Sequence, residues 1–132
     1  MVIVDTTVWI DFFLAQSTRQ VAVLESFLEE GEDICICGLI LTEVLQGIRN
    51  ESEYKRTKAR FDNLTFLPMA YATFVKSAEL YRSLRGQGIT IRNSVDCLIA
   101  TVAIEHDIPL LHNDKDFDPL EEHCGLKIVK LN

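Results

Sequence analysis

Residues 1–12 read Met1-Val2-Ile3-Val4-Asp5-Thr6-Thr7-Val8-Trp9-Ile10-Asp11-Phe12. Val2 to Val4 is a short apolar run of the kind that forms a strand buried on both faces. It stops on a carboxylate, two hydroxyl residues follow, and a new apolar segment begins at Val8. In a parallel α/β sheet the strand ends carry the ligand site. Asp5 therefore stands at an edge where other acids can join it.

Outward from this stretch, the pattern alternates strands with helices. Thr7 to about Ala15 is predicted helical, with Val8, Phe12 and Trp9 turned inward. Ser17 or Thr18 offers an N-cap for a helix carrying Val21, Leu24, Phe27 and Leu28, and Gly31 stops it. Asp33 to Cys37 reads as the second strand. Gly38 then turns the chain into a helix with Ile40, Val44, Leu45 and Ile48 on its apolar side and Glu43 within it. Ser52 is the expected cap of a polar helix reaching about Asn63, and Thr65 to Leu67 the third strand, closed by Pro68. Ala70 to Arg85 is a long helix whose expected buried stripe is Phe74, Ala78, Tyr81 and Leu84, ended by Gly86-Gln87-Gly88. Asn93 or Ser94 caps the next helix, where Val95, Leu98, Ile99, Val102 and Ala103 follow at helical spacing. Pro109 to His112 is the fourth strand. Asn113 to Phe117 is a polar turn into a short helix ending near Gly125, and Lys127 to Leu131 is expected as a last strand. The order β-α-α-β-α-α-β-α-α-β-α-β implies parallel pairing, right-handed crossovers and a three-layer α/β/α sandwich around a central parallel sheet.

The 132 residues suit one domain, expected to span 1–132. No apolar run approaches the roughly 20 residues of a membrane helix, so no membrane association is expected. The N-terminus lacks a basic region and a cleavage site, which points to a cytoplasmic protein without a signal peptide. Cys35, Cys37, Cys97 and Cys124 fit no zinc spacing and read as small buried hydrophobes in a reducing cell. The net charge of −7 argues against a simple nucleic-acid coat protein. Between Arg49 and Arg92, however, nine Lys or Arg face four Asp or Glu, a balance of +5 that leaves −12 for the remainder. This segment is either a basic RNA-guiding face beside an acidic pocket or only the solvated surface of helices.

Four acids fall where strand ends and the helices around them can bring them together. Asp5 ends strand one, Glu43 lies on the helix after strand two, Asp96 sits in the first turn of a helix, and Asp114 follows strand four, with Asp116 two residues on. Each has a structural alternative. Asp5 can cap the following helix, Asn93 and Asp96 have capping-box spacing, Asp114 or Asp116 can cap a short helix, and Glu43 can be solvated. Their conjunction at one sheet edge changes the balance, because clustered carboxylates raise one another's pKa unless a cation joins them. An all-oxygen set without paired Cys or His suits Mg²⁺ or Mn²⁺, and with it phosphodiester hydrolysis. Thr6 and Thr7 can orient a ligand or water nearby, or serve as turn residues. His112, beside Asp114, can touch substrate or be a satisfied surface histidine. No Ser/His/Asp set and no glycine-rich phosphate loop are present. A phospho-accepting receiver domain would need an Asp after the third strand, where Pro68-Met69-Ala70 supplies none. A phosphatase using Asp5 as nucleophile would want an acid where Thr7 stands.

Four motifs, in order, resemble a known family. They are Val2-Ile3-Val4-Asp5-Thr6-Thr7-Val8-Trp9, Leu41-Thr42-Glu43-Val44-Leu45-Gln46-Gly47, Val95-Asp96-Cys97-Leu98-Ile99-Ala100, and Leu110-Leu111-His112-Asn113-Asp114-Lys115-Asp116-Phe117. Over essentially its whole length the chain is similar to PIN domains, and specifically to VapC-type toxins of type II toxin–antitoxin pairs. The resemblance implies a Mg²⁺- or Mn²⁺-dependent endoribonuclease whose metal is held by Asp5, Glu43, Asp96 and Asp114, with Asp116 contributing as in some members. It also implies RNA cleavage to 5′-phosphate and 3′-hydroxyl ends, a homodimer, and inhibition by a VapB-type antitoxin whose tail places an Arg among the acids. Many relatives carry Thr or Ser where this chain has His112, so that hydroxyl's role is not carried over. The alternative from a different class is a catalytically silent PIN-like module that acts through a protein partner.

Overall fold

Val2, Ile3 and Val4 form strand β1 and are buried on both faces, which a run of three β-branched residues with no polar alternation requires. In the computed structural model, which describes residues 1–131, β1 is followed by α1 (Thr6–Phe13), α2 (Arg19–Glu30), β2 (Ile34–Cys37), α3 (Gly38–Gln46) and α4 (Glu51–Phe61). Then come β3 (Thr65–Leu67), α5 (Tyr71–Gly86), α6 (Ser94–His106), β4 (Leu110–Leu111), a 3₁₀ turn (Lys115–Phe117) and α7 (Asp118–Cys124). The four strands are parallel, in the order β3-β2-β1-β4. Asn132, the last residue of the expected domain, lies outside the described residues.

The order decides where a ligand can sit. From β1 to β2 to β3 the chain steps one way across the sheet, and the return to β4 passes behind β2 and β1. Right-handed crossovers then put α1–α4 on one face and α5–α6 on the other. The packing agrees: α1 contacts α2 and α3, and α3 contacts α4, whereas α5 contacts α6 and α7. The strand order reverses between β1 and β4, so their carboxyl ends open the crevice where α/β sheets bind ligands.

Capping residues set most helix boundaries. Asp5 accepts from Thr7 N and starts α1 one residue earlier than expected. Thr18 caps α2, and Gly31, at φ 71°, ends it in the left-handed conformation that glycine adopts without a Cβ clash. Asn50, not Ser52, caps α4, its Oδ1 accepting from Glu53 N at 2.9 Å. In α1 the inward residues are Val8 and Trp9, both fully buried, while Phe12 is only half-buried. The four cysteines are free; Cys35, Cys37 and Cys97 are buried and Cys124 is half-buried. Among the described residues no helix is long and apolar enough to cross a membrane.

Three expectations need correction. The buried stripe of α5 is Thr73, Ser77 and Leu84; Phe74 is 49% exposed, Ala78 is exposed and Tyr81 is only half-buried. Thr73 is held inward by donating to Glu105 Oε2 at 2.9 Å, and the Ser77 carbonyl lies 3.4 Å from Cys97 Sγ. Two small polar residues at the α5–α6 contact therefore set the helix rotation, which hydrophobicity alone assigns to the neighbouring face. Second, α6 is not one-sided: Cys97, Ala100 and Thr101 are buried along with Ile99, Val102 and Ala103, and Val95 and Leu98 are only partly covered. Third, Lys127–Leu131 does not form a strand. It makes one parallel bridge, Leu110 with Ile128, through Leu110 N to Lys127 O and Val129 N to Leu110 O, both 2.9 Å. With β4 only two residues long, there is little edge left to pair.

Candidate metal centre

The crevice between β1 and β4 is built from both strand ends. Asp5 follows β1 directly and is 2% exposed. Its Oδ2 accepts from Thr7 N at 3.1 Å and from Thr7 Oγ1 at 2.7 Å. The Thr7 hydroxyl oxygen in turn accepts from Asn113 N at 3.2 Å. One hydroxyl thus ties the β1 exit to the β4 exit. Beside it, Thr6 Oγ1 donates to Glu43 Oε1 at 2.8 Å, which links the start of α1 to the middle of α3. Thr6 and Thr7, left open between ligand and turn roles, both hold acids in place.

On the β4 side, Asp114 Oδ1 accepts from Asp116 N at 2.9 Å and starts the 3₁₀ turn. Asp114 N donates to His112 Nδ1 at 3.1 Å. A ring nitrogen that accepts carries no proton, so the proton of the neutral imidazole sits on Nε2. Burial lowers the His112 pKa against the pull of Asp5, Asp118 and Asp114, and its ring packs on Phe117 at a centroid distance of 4.8 Å. A neutral histidine at this position shapes the Asp114 loop.

α6 runs back toward β4, so its N-terminus lies at the same edge as the strand exits. Asn93 Oδ1 accepts from Val95 N at 2.9 Å, so the capping box with Asp96 is not closed. Asp96 is 8% exposed and turned to the acids. Carboxylate oxygens of Asp96, Asp114 and Asp116 all lie within 4.8 Å of one another. Asp5 and Glu43 stand outside that inner group but still act on it. Burial, then Asp114, Asp5, Asp116 and Glu43, push the Asp96 pKa up to about 7. Asp5 is also raised, first by burial and further by Glu43, against the hydrogen bonds from Thr7 that favour its charge. The geometry gives Asp116 an inner place that its secondary rank in the sequence did not suggest.

The basic segment does not form one face. Lys55, Arg56, Lys58 and Arg60 lie on α4, and Lys76, Arg82 and Arg85 on α5, helices on opposite sides of the sheet. Arg92 alone reaches the acids: its Nη2 donates to Asp116 Oδ1 at 3.1 Å. Sequence reading counted Arg92 only as one charge among nine, since nothing in its local pattern tells which way a loop residue before a helix turns.

Residues 2–122 match the model of the PIN domain family. The chain belongs to the PIN-domain family. This PIN domain is 34% identical over 129 residues to ribonuclease VapC11 of Mycobacterium tuberculosis and to VapC ribonuclease Mb1587 of Mycobacterium bovis, covering 96% of each chain in both pairings. Its fold is shared by VapBC2 from Rickettsia felis, solved bound to a DNA fragment from their promoter (TM-score 0.76, 18% identity, all of both chains). It is shared also by VapBC-1 from nontypeable Haemophilus influenzae (TM-score 0.71, 18% identity, 98% of both chains). FitAcB from Neisseria gonorrhoeae has the same fold (TM-score 0.70, 19% identity, 98% of this chain and 97% of that one). The doubly wound parallel sheet of this PIN domain is therefore the expected three-layer α/β/α architecture.

Proposed function

We propose that the chain is the toxin of a type II toxin–antitoxin pair, a divalent-metal-dependent endoribonuclease. The observation that carries this reading is the convergence of Asp96, Asp114 and Asp116 within 4.8 Å, beside buried Asp5, in the crevice between β1 and β4. The donor set fits a hard cation: it is all oxygen, and in the absence of a cation its acids resist ionisation together. Asp96, Asp114 and Asp116 would hold Mg²⁺ or Mn²⁺, directly or through water, with Asp5 and Glu43 completing the negative pocket. Bound there, the ion supplies Lewis-acid stabilisation of phosphate charge and a more acidic water.

The chain's own residues prepare the site for that chemistry. Thr7 orients Asp5 through two donors, Thr6 orients Glu43, and His112 fixes the backbone that presents Asp114. Preorganised carboxylates need little rearrangement when substrate arrives. Names support the choice of RNA: both mycobacterial relatives are called ribonucleases. A structural neighbour of the same fold is a toxin–antitoxin complex from Klebsiella pneumoniae, and VapBC2 and VapBC-1 share the fold, which supports a VapB-type antitoxin as the partner. Pairing with a second copy belongs to the same proposal.

The test is incubation of the antitoxin-free chain with total RNA in Mg²⁺, in Mn²⁺ and in chelator, beside Asp96→Asn. Discrete fragments that need the metal and vanish in the variant are expected. Cleavage by Asp96→Asn at the wild-type rate would sink the assignment, and absence of both cleavage and metal binding would favour the silent module.

A further inference from the structure

Arg92 lies in the loop between α5 and α6, two residues before α6 begins. Its Nη2 donates to Asp116 Oδ1 at 3.1 Å. The Arg92 side chain is 82% exposed, against 22% for Asp116. Among the described residues it is the one cation in an ion pair with an acid of the inner group. A guanidinium carries five N–H donors in a planar fork, and this contact engages one nitrogen. The rest of the fork is free to take an anion. An ion pair this exposed is screened by solvent and contributes little to stability, so Arg92 can leave Asp116 at little cost. Its position has a physical consequence as well. A pocket of carboxylates repels a phosphodiester, and a fixed cation at its rim offsets that repulsion where the substrate enters.

We propose that Arg92 anchors the RNA backbone at this site, its guanidinium passing from Asp116 to a phosphate oxygen as RNA enters. The assignment rests on the ribonuclease reading. It treats Arg92 as a substrate-binding residue rather than a prop for Asp116, and the two roles separate in experiment.

The binding measurement is fluorescence anisotropy of a labelled single-stranded RNA with the full chain in chelator, across a range of NaCl concentrations. Arg92→Ala should weaken binding about tenfold and lower the slope of log K against log salt by about 0.7, the share of one phosphate contact to a single strand. Arg92→Lys, which keeps the charge, should keep the slope. Mn²⁺ titration of Arg92→Ala, followed by electron paramagnetic resonance, should show affinity equal to or above wild type, because the guanidinium competes with the ion for Asp116. An unchanged RNA affinity and slope in Arg92→Ala overturns the assignment. So does weakened Mn²⁺ binding, which makes Arg92 a support of the acids. Metal-dependent cleavage by the wild-type chain, run alongside, reports the ribonuclease reading separately: cleavage with an unchanged Arg92→Ala slope removes only the role of Arg92, whereas no cleavage and no RNA binding by the wild type removes both.

Discussion

Thr6 Oγ1 donates to Glu43 Oε1 at 2.8 Å across 37 residues of sequence. The bond joins the first residue of α1 to α3, the two helices that leave β1 and β2. It fixes a half-buried carboxylate that would otherwise be free to rotate toward solvent. Thr6→Val keeps the side-chain shape and removes the donor. The expected loss is about 1 kcal/mol, or roughly fivefold in Mn²⁺ affinity by calorimetric titration, with Thr6→Ser restoring it. Equal affinity in wild type and Thr6→Val would show that Glu43 needs no orientation.

Asp5 does two things that can be separated. It caps α1 and it contributes charge to the crevice. Asparagine caps as well as aspartate does, whereas alanine at an N-cap costs about 1 kcal/mol. Asp5→Asn should therefore unfold no earlier than wild type and Asp5→Ala earlier, as read by denaturant midpoints, while both lose RNA cleavage. A cleaving Asp5→Asn would reduce Asp5 to a cap.

The acids make the metal-free chain sensitive to pH. Asp96 is held near 7 and Asp5 is raised, so both keep protons in the folded chain that the unfolded chain releases near 4. Between those limits stability falls as pH rises, by up to about 1.4 kcal/mol per pH unit for each group that holds its proton. His112 acts oppositely: its lowered pKa makes stability rise with pH up to the ordinary histidine range. In chelator, thermal melts should show wild type losing stability from pH 5 to 7, a shallower loss in Asp96→Asn, and a higher midpoint for Asp96→Asn than for wild type at pH 8. Mn²⁺ should raise the wild-type midpoint at pH 8 far more than that of the variant. Parallel pH profiles for the two chains would contradict the shifted Asp96.

The rotation of α5 is testable by stability. Leu84 is fully buried and Phe74 is 49% exposed. Leu84→Ala should cost about 2–5 kcal/mol, and Phe74→Ala under about 1 kcal/mol, by urea unfolding. The reverse order would return the buried stripe to Phe74, Ala78 and Tyr81.

Local chemistry made much of this protein legible. Val2–Val4 and Ile34–Cys37 lie close to their expected bounds because continuous apolar runs between turn residues have one good use in a parallel sheet. Thr18, Gly31, Asn93 and Gly125 mark helix ends through caps whose geometry depends on neighbours within a few residues. The acids at strand ends stood out for the same reason: topology sends every such end to one edge.

The sequence by itself determined the order of elements from β1 to α7, the parallel sheet and the list of acids, since each is written in short-range patterns of apolar, capping and charged residues. Only the tertiary structure decided which acids form the inner group, which face of α5 is buried, and that Arg92 reaches Asp116. Those depend on distances between residues that can lie more than a hundred positions apart, as Thr7 and Asn113 do. Such distances are fixed by packing and by hydrogen bonds between loops, where a polar Thr73 can outrank an apolar Phe74 and a loop arginine can turn either way.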